Sequence, residues 1–284
     1  MKIRGKTLKK TGGNAVTSTA IELKNITKTF GSVVANKNIC MDVKRGEILS
    51  VLGENGSGKT TLMNMISGIY FPDEGQIFIN GEEAVITSPK DAYKYKIGMI
   101  HQHFKLVDVF TAAENIILGQ NSDQKFDMKA AVKRVREIAD KYDFIIDPNK
   151  KIYEMSVSEK QTVEIIRVLY RGADILILDE PTAVLTPQET QKLFNVLRNM
   201  KKDGKAIIII THKLNEVLEI SDRVSVLRKG EYIGTVNTSE TSENALTEMM
   251  VGKKISLNID RSEPENPVDR LKVEHIDCIN REGV

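Results

Sequence analysis

The chain has 284 residues, 40% of them apolar, enough for one large domain or two small ones with a real core. A net charge of +2 gives no case for nucleic acid as a partner, and two cysteines, Cys40 and Cys278, show neither metal-site nor disulfide-framework spacing, which suits a reducing cytoplasm. No apolar stretch approaches the ~20 residues of a membrane helix, so a membrane role must come through a partner subunit.

Residues 1–20 are basic and polar, with Lys2, Arg4, Lys6, Lys9 and Lys10 and no apolar core of a secretory signal. They read as a solvated tail, with membrane-surface contact the alternative. Residues 21–85 are strand-rich. Within them Ile48-Leu49-Ser50-Val51-Leu52 suits a buried strand, and residues 61–66 suit a helix. Between them runs Gly53-Glu54-Asn55-Gly56-Ser57-Gly58-Lys59-Thr60, the G-x-x-x-x-G-K-[ST] phosphate-binding loop. Strand, glycine-rich loop and helix are the context that pattern needs. Backbone N–H groups of such a loop wrap phosphate oxygens, and the helix N-terminus adds positive potential. Lys59 is expected at the β/γ oxygens and the Thr60 hydroxyl on Mg²⁺. The nucleotide contacts extend from Gly53 through Glu54, Asn55, Gly56, Ser57, Gly58, Lys59 and Thr60 to Thr61.

Pro72-Asp73-Glu74-Gly75 reads as a turn before a strand at 76–80. Residues 86–170 look mainly helical, with the apolar strand Ile97–Ile100 and then Gln102 inside them. In 129–142, Val132, Val135, Ile138, Ala139 and Tyr142 form one stripe, read as core packing. Ser156 and Glu159 make a capping box that opens an amphipathic helix. Ile175-Leu176-Ile177-Leu178-Asp179-Glu180 is a buried-strand run ending in two carboxylates. Ligands of open α/β sheets sit at the carboxyl ends of strands. Asp179 is therefore expected to hold Mg²⁺ through water, and Glu180 to orient the attacking water or accept its proton. Thr186-Pro187-Gln188-Glu189 reads as N-cap, Pro at the first position and Glu at the third, starting a helix that runs to about Lys202 and ends at Gly204. His212 follows the strand at 207–210, and βα alternation continues to 250. Residues 251–270 are the expected linker, polar from 255, with Pro264 and Pro267.

The order of these marks resembles the ABC ATPases over about residues 21–250. Met155-Ser156-Val157-Ser158-Glu159-Lys160-Gln161 resembles their signature motif, usually Leu-Ser-Gly-Gly-Gln. Phe30 stands where the family stacks an aromatic on adenine, Gln102 where a glutamine senses Mg²⁺ and the membrane partner, and His212 where a histidine meets the γ-phosphate. Each also has a plainer reading: core for Phe30, a surface loop for Gln102 and His103, a structural histidine for His212. The resemblance implies an α/β fold: a P-loop ABC-type nucleotide-binding domain with an inserted helical subdomain at about 86–170 and a small antiparallel β part. Its cofactors are ATP and Mg²⁺. Its catalytic set is Lys59, Gln102, Glu180 and His212, and its metal set Thr60, Gln102 and Asp179. Ser156 and Ser158 face a partner's nucleotide. Val157 and Ser158 depart from the usual glycines, and a Cβ at Ser158 hinders close approach to phosphate. Similar departures occur in the first half of tandem sugar-import ATPases. Thr186 stands where many relatives have an Asp, and capping is its expected role.

Leu271-Lys272-Val273-Glu274-His275-Ile276 resembles the opening strand of a second such domain, like Ile21-Glu22-Leu23-Lys24-Asn25-Ile26. Residues 271–284 are the expected start of a truncated second ABC domain, and the expectation is the first half of a roughly double-length tandem protein, or a truncated reading frame of one, completed by a second half. Residues 86–92, 101–106 and 170–174 resemble the nucleoside-import branch, with ribose or galactose as alternative cargo. The implied partners are transmembrane permease subunits and, indirectly, an extracytoplasmic solute-binding protein. The implied location is the cytoplasmic face of the membrane. Phe104 and Leu106 read as an apolar anchor for a permease helix, with buried loop packing as the alternative. A DNA-repair or chromosome ATPase would insert long coiled coils between Lys59 and Ser156, and no such heptad run is present. A ribosome-bound factor would carry a long charged linker, and here the linker is short.

Overall fold

The computed structural model describes residues 19–119, 127–253 and 271–275. The chain divides into two units, 1–253 and 254–284. In the first unit β1 (Thr19–Phe30) and β2 (Val33–Lys44) pair antiparallel from Phe30↔Val33 to Thr19↔Lys44. Ile39, Met41 and Val43 alternate inward along β2, the period-2 pattern of a one-sided strand. After β3 (Ile48–Leu52) and α1 (Lys59–Ile66) come β4 (Glu74–Ile79), antiparallel to β1, and β5 (Glu82–Glu83) at the edge. Residues 74–75 thus belong to the strand expected from 76. Asp73 fixes that corner, accepting from Lys28 Nζ at 2.6 Å and from the Thr29 amide at 2.7 Å.

The parallel part adds β6 (Ile97–Ile100), β7 (Ile175–Asp179), β8 (Ala206–Thr211) and β9 (Arg223–Arg228), in the order β9-β3-β8-β7-β6. Strand β10 (Glu231–Asn237) runs antiparallel to β9 and meets β2 at Glu231↔Lys37, joining both parts into one sheet among the described residues. β7 and β8 are buried along their whole length, which is why they read as unbroken apolar runs. Their side chains still divide by face. Leu176, Leu178, Ile207 and Ile209 enter one core with α3 (Ala112–Ile117), α4 (Met128–Tyr142), α5 (Val157–Tyr170) and α6 (Pro187–Lys202). Ile175, Ile177, Ile208 and Ile210 enter the other, with α1 and the antiparallel strands.

Within 86–170 the short α2 (Pro89–Lys94) precedes β6, and β6 is a strand of the parallel sheet. The inserted helices begin at Ala112. In α4 the inward stripe is Ala131, Val135, Ile138, Ala139 and Tyr142, so Ala131 takes the place expected for Val132, which is half-buried. Beyond α6, α7 (Leu214–Ile220) and α8 (Glu243–Val251) pack on β9. Residues 271–275 of the second unit are exposed and carry no regular structure, so the strand expected at 271–276 is not formed among them. An extended segment becomes a strand only where a neighbour accepts its ladder. The tail through residue 18, the linker from 254 to 270, Ile276 and Cys278 lie outside the described residues.

Candidate functional site

Three neighbouring parallel strands end together. Leu52 of β3 pairs with Thr211 of β8, and Asp179 of β7 pairs with Ile210. The loops that follow them therefore open at the same carboxyl edge. The first is the glycine-rich loop, and Gly58 is its pivot. Gly58 caps α1 with φ +95, and a Cβ there would lie 2.4 Å from the Ala35 carbonyl oxygen. Only glycine meets both demands. Beside it Asn36, fully buried on β2, donates from Nδ2 to the Gly58 carbonyl at 3.2 Å. The Ser57 hydroxyl is buried with no protein partner. Lys59 is also buried, and its Nζ donates to the Gly53 and Glu54 carbonyls at 2.8 Å each. Burial lowers its pKa, against the attraction of Glu180 and Asp179.

The acidic side faces it. Burial raises the Asp179 pKa, and so does the charge of Glu180, while the Thr60 hydroxyl donates to Asp179 and Lys59 attracts it. Glu180 sits in left-handed backbone at φ +48, held by its amide on the Ile210 carbonyl at 2.9 Å. Such a conformation is strained for a residue with a side chain and is common at functional turns. His212, just past β8, donates from Nδ1 to Glu180 Oε1 at 2.9 Å. Lys59, Thr60, Asp179, Glu180 and His212 thus form one connected cluster.

Phe30, Gln102, Ser156 and Ser158 stand apart: among the described residues no hydrogen bond or ion pair ties them to that cluster. Phe30 is 43% exposed, so plain core is not its role. Its ring meets Tyr70 edge-on at 5.1 Å, and Lys28 Nζ lies 5.5 Å from its centroid. Gln102 is exposed in the loop after β6. Ser156 caps α5 with the full capping box, and Thr186 caps α6 in the same way. A cavity of about 430 Å³ lies beside Ser156 and Ser158, walled by Phe144, Leu185, Glu189 and Asn195. Leu106 packs against the helical core, so buried packing describes it; Phe104 is half-buried, and Val107 and Val109 are the exposed apolar residues of that loop.

Several site residues carry no signal in the sequence. Asn36, a polar residue in the strand-rich stretch, is buried under the loop. Thr182 donates to Glu216 at 2.5 Å and its carbonyl accepts from Lys213 at 2.9 Å, bracing the turn after Glu180. Tyr70 becomes a partner of Phe30 only through the fold.

The sequence pattern of the family described as ABC transporter matches residues 36–183. The chain is 45% identical, over 89% of its length, to the nucleoside import ATP-binding protein NupA of Lactococcus lactis, and spans 51% of that protein. It is 47% identical, over 93% of its length, to the guanosine import ATP-binding protein NupO of Bacillus subtilis, and spans 52% of it. The chain thus covers about half the length of these relatives. Among solved structures, the ADP conformation of MJ1267, an ATP-binding cassette of an ABC transporter, matches with TM-score 0.74 at 26% identity, covering 84% of this chain and all of that one. On the family pattern matched over residues 36–183 and on these relatives, the chain belongs to the ABC transporter family.

Proposed function

We propose that this chain binds ATP with Mg²⁺ at the edge of β3, β7 and β8 and hydrolyses it to drive nucleoside import through a separate permease. The observation that carries the reading is the Lys59–Thr60–Asp179–Glu180–His212 cluster at the mouth of the glycine-rich loop. The residues fit a nucleotide triphosphate. Ser57 offers a buried hydroxyl without a protein partner, the space beside Gly56 is open, and Lys59 is a buried cation held by loop carbonyls. They also fit Mg²⁺, which favours one or two carboxylates together with phosphates and waters. Among the described residues no cluster of three or more His, Cys, Asp or Glu side chains could hold a metal, so the site would rely on Thr60, Asp179 and the phosphates, with Gln102 a further ligand only on the family resemblance. Bound there, Mg²⁺ would neutralise charge on the phosphate oxygens. Lys59 supplies fixed positive charge. Glu180 orients the water or takes its proton, and His212 holds the Glu180 carboxylate in place.

Among the described residues Ser156 and Ser158 make no hydrogen bond to this cluster, and we read them as part of a composite site in which the signature helix serves the nucleotide of a second cassette half. A permease at the cytoplasmic membrane face, and a solute-binding protein outside, complete the machine. No described helix is long and apolar enough to cross a membrane. The nucleoside reading rests on similarity to the import proteins above, and sugars of the ribose or galactose type are the alternative. The test is ATP turnover by the chain assembled with its second half, permease and binding proteins, with nucleosides set against sugars. Stimulation by nucleosides is expected. Stimulation by sugars alone overturns the cargo, and no ATP binding at millimolar Mg-ATP overturns the whole reading.

A further inference from the structure

The segment after β6 carries Gln102 and is then fastened at Lys105. Glu164 of α5 accepts the Lys105 amide on Oε1 at 2.9 Å. Arg167, one turn on, donates from Nη1 to the Lys105 carbonyl at 2.9 Å, and its Nη2 pairs with Glu164 Oε2. One ion pair thus grips both backbone groups of a single residue. Glu164 is 2% exposed, and a carboxylate that deep is tolerable only with its oxygens met. Asn115 repeats the grip at Val107, accepting its amide at 2.7 Å and donating to its carbonyl at 3.1 Å. Leu106 between them packs into the helical core.

Helix α5 also fixes the other end of the segment. It lies so close on β6 that a Cβ on Gly98 would stand 1.9 Å from Val168 Cγ1. Between β6 and Lys105, no side-chain hydrogen bond is found at residues 101–104 among the described residues. Gln102 sits in that short free span. The same helix begins at Ser156, eight residues before Glu164 and about 12 Å away along its axis. Resting on the ATP-hydrolysing role proposed above, we propose that Glu164 and Arg167 are positioning residues: by tying Lys105 to α5 they set where Gln102 can stand. The signature end and the Gln102 segment then shift together, as one rigid helix moves.

The test compares Glu164→Ala, Arg167→Met and Arg167→Lys with wild type and Lys59→Ala, in the full chain and in the assembled transporter. For Glu164→Ala the expected result is amide exchange at 101–107 about tenfold faster. Its kcat should fall about tenfold or more, with KM for ATP within about twofold. Arg167→Lys should restore part of what Arg167→Met loses, and the double variant should be no slower than the slower single one. A lower melting temperature with kcat and exchange unchanged well below melting would overturn the proposal. An inactive wild type that binds ATP no better than Lys59→Ala would instead overturn the ATPase reading, and the exchange at 101–107 alone would then decide whether the clasp fixes the segment.

Discussion

Replacing Lys59 by Met removes the buried ammonium and keeps most of its volume. Nζ donates two bonds of 2.8 Å, to the Gly53 and Glu54 carbonyls. Charged donors contribute about 1.5–3 kcal/mol per bond, so the gross loss is about 3–6 kcal/mol. Two effects offset it. The burial that lowers the Lys59 pKa is no longer a cost, and the exposed Glu54 can recruit water for its carbonyl. The net change in the nucleotide-free chain should therefore stay within about 2 kcal/mol. ATP binding has no such offset, because the phosphates lose their fixed counter-charge. A loss of about 3 kcal/mol there weakens affinity about a hundredfold. At ATP a hundred times the wild-type Kd, nucleotide stabilises wild type by about 2.7 kcal/mol and the variant by only about 0.4 kcal/mol. At about 2–4 °C per kcal/mol for a domain this size, melting scans with Mg-ATP should show a rise of roughly 5–10 °C for wild type and about 1 °C for Lys59→Met. A variant whose Tm rises with ATP as wild type does would refute the assignment of the loop.

Glu180→Gln keeps shape and loses the proton acceptor; ATP affinity should hold while turnover drops at least about a hundredfold, and single-turnover hydrolysis at wild-type speed would remove Glu180 from the mechanism. Gly58→Ala forces a side chain into φ +95 and against the Ala35 carbonyl, so the nucleotide-free chain should lose about 1–3 kcal/mol, and an unchanged melting temperature would disprove the strain. Asp42 has its pKa lowered by its hydrogen bond with Arg223, so it stabilises the fold fully above the usual value of 3.8 and ceases to as pH falls through its lower folded value. Asp42→Asn should accordingly melt below wild type at neutral pH, with the gap closing below pH 3.8; a gap that is constant from pH 7 downward would contradict the ion pair's role.

What could be read from the chain was local or periodic. The glycine-rich loop, the capping boxes at Ser156 and Thr186, and the unbroken apolar runs 175–179 and 207–210 each lie within a few residues. Each is fixed by chemistry at short range, and the structure keeps them. What could not be read depends on distant partners. Asn36 lies under Gly58 across 22 residues of sequence, and Glu164 reaches Lys105 across 59. Leu106 and the shift from Val132 to Ala131 turn on which side of a loop or helix meets the core, and periodicity alone resolves that only to within a neighbour.

In the proposed composite site, the N-terminal end of α5 makes a cap and a ligand site share the same atoms. Ser156 Oγ accepts the Glu159 amide at 3.3 Å, which uses a lone pair and leaves the hydroxyl proton to donate. The cap therefore aims the hydroxyl without consuming it. The reciprocal bond brings the Glu159 carboxylate to the Ser156 amide at 2.8 Å, an anion at the very end where a phosphate would approach. Left alone, that charge would oppose a nucleotide. Lys150 meets it at 2.7 Å, and this bond is the largest cause of the lowered Glu159 pKa. The carboxylate is thus held ionised and locally neutralised. In this chain a Glu–Lys pair stands where the usual motif has an uncharged glutamine, so on the composite-site proposal the positive end of α5 would remain available to a partner's phosphate.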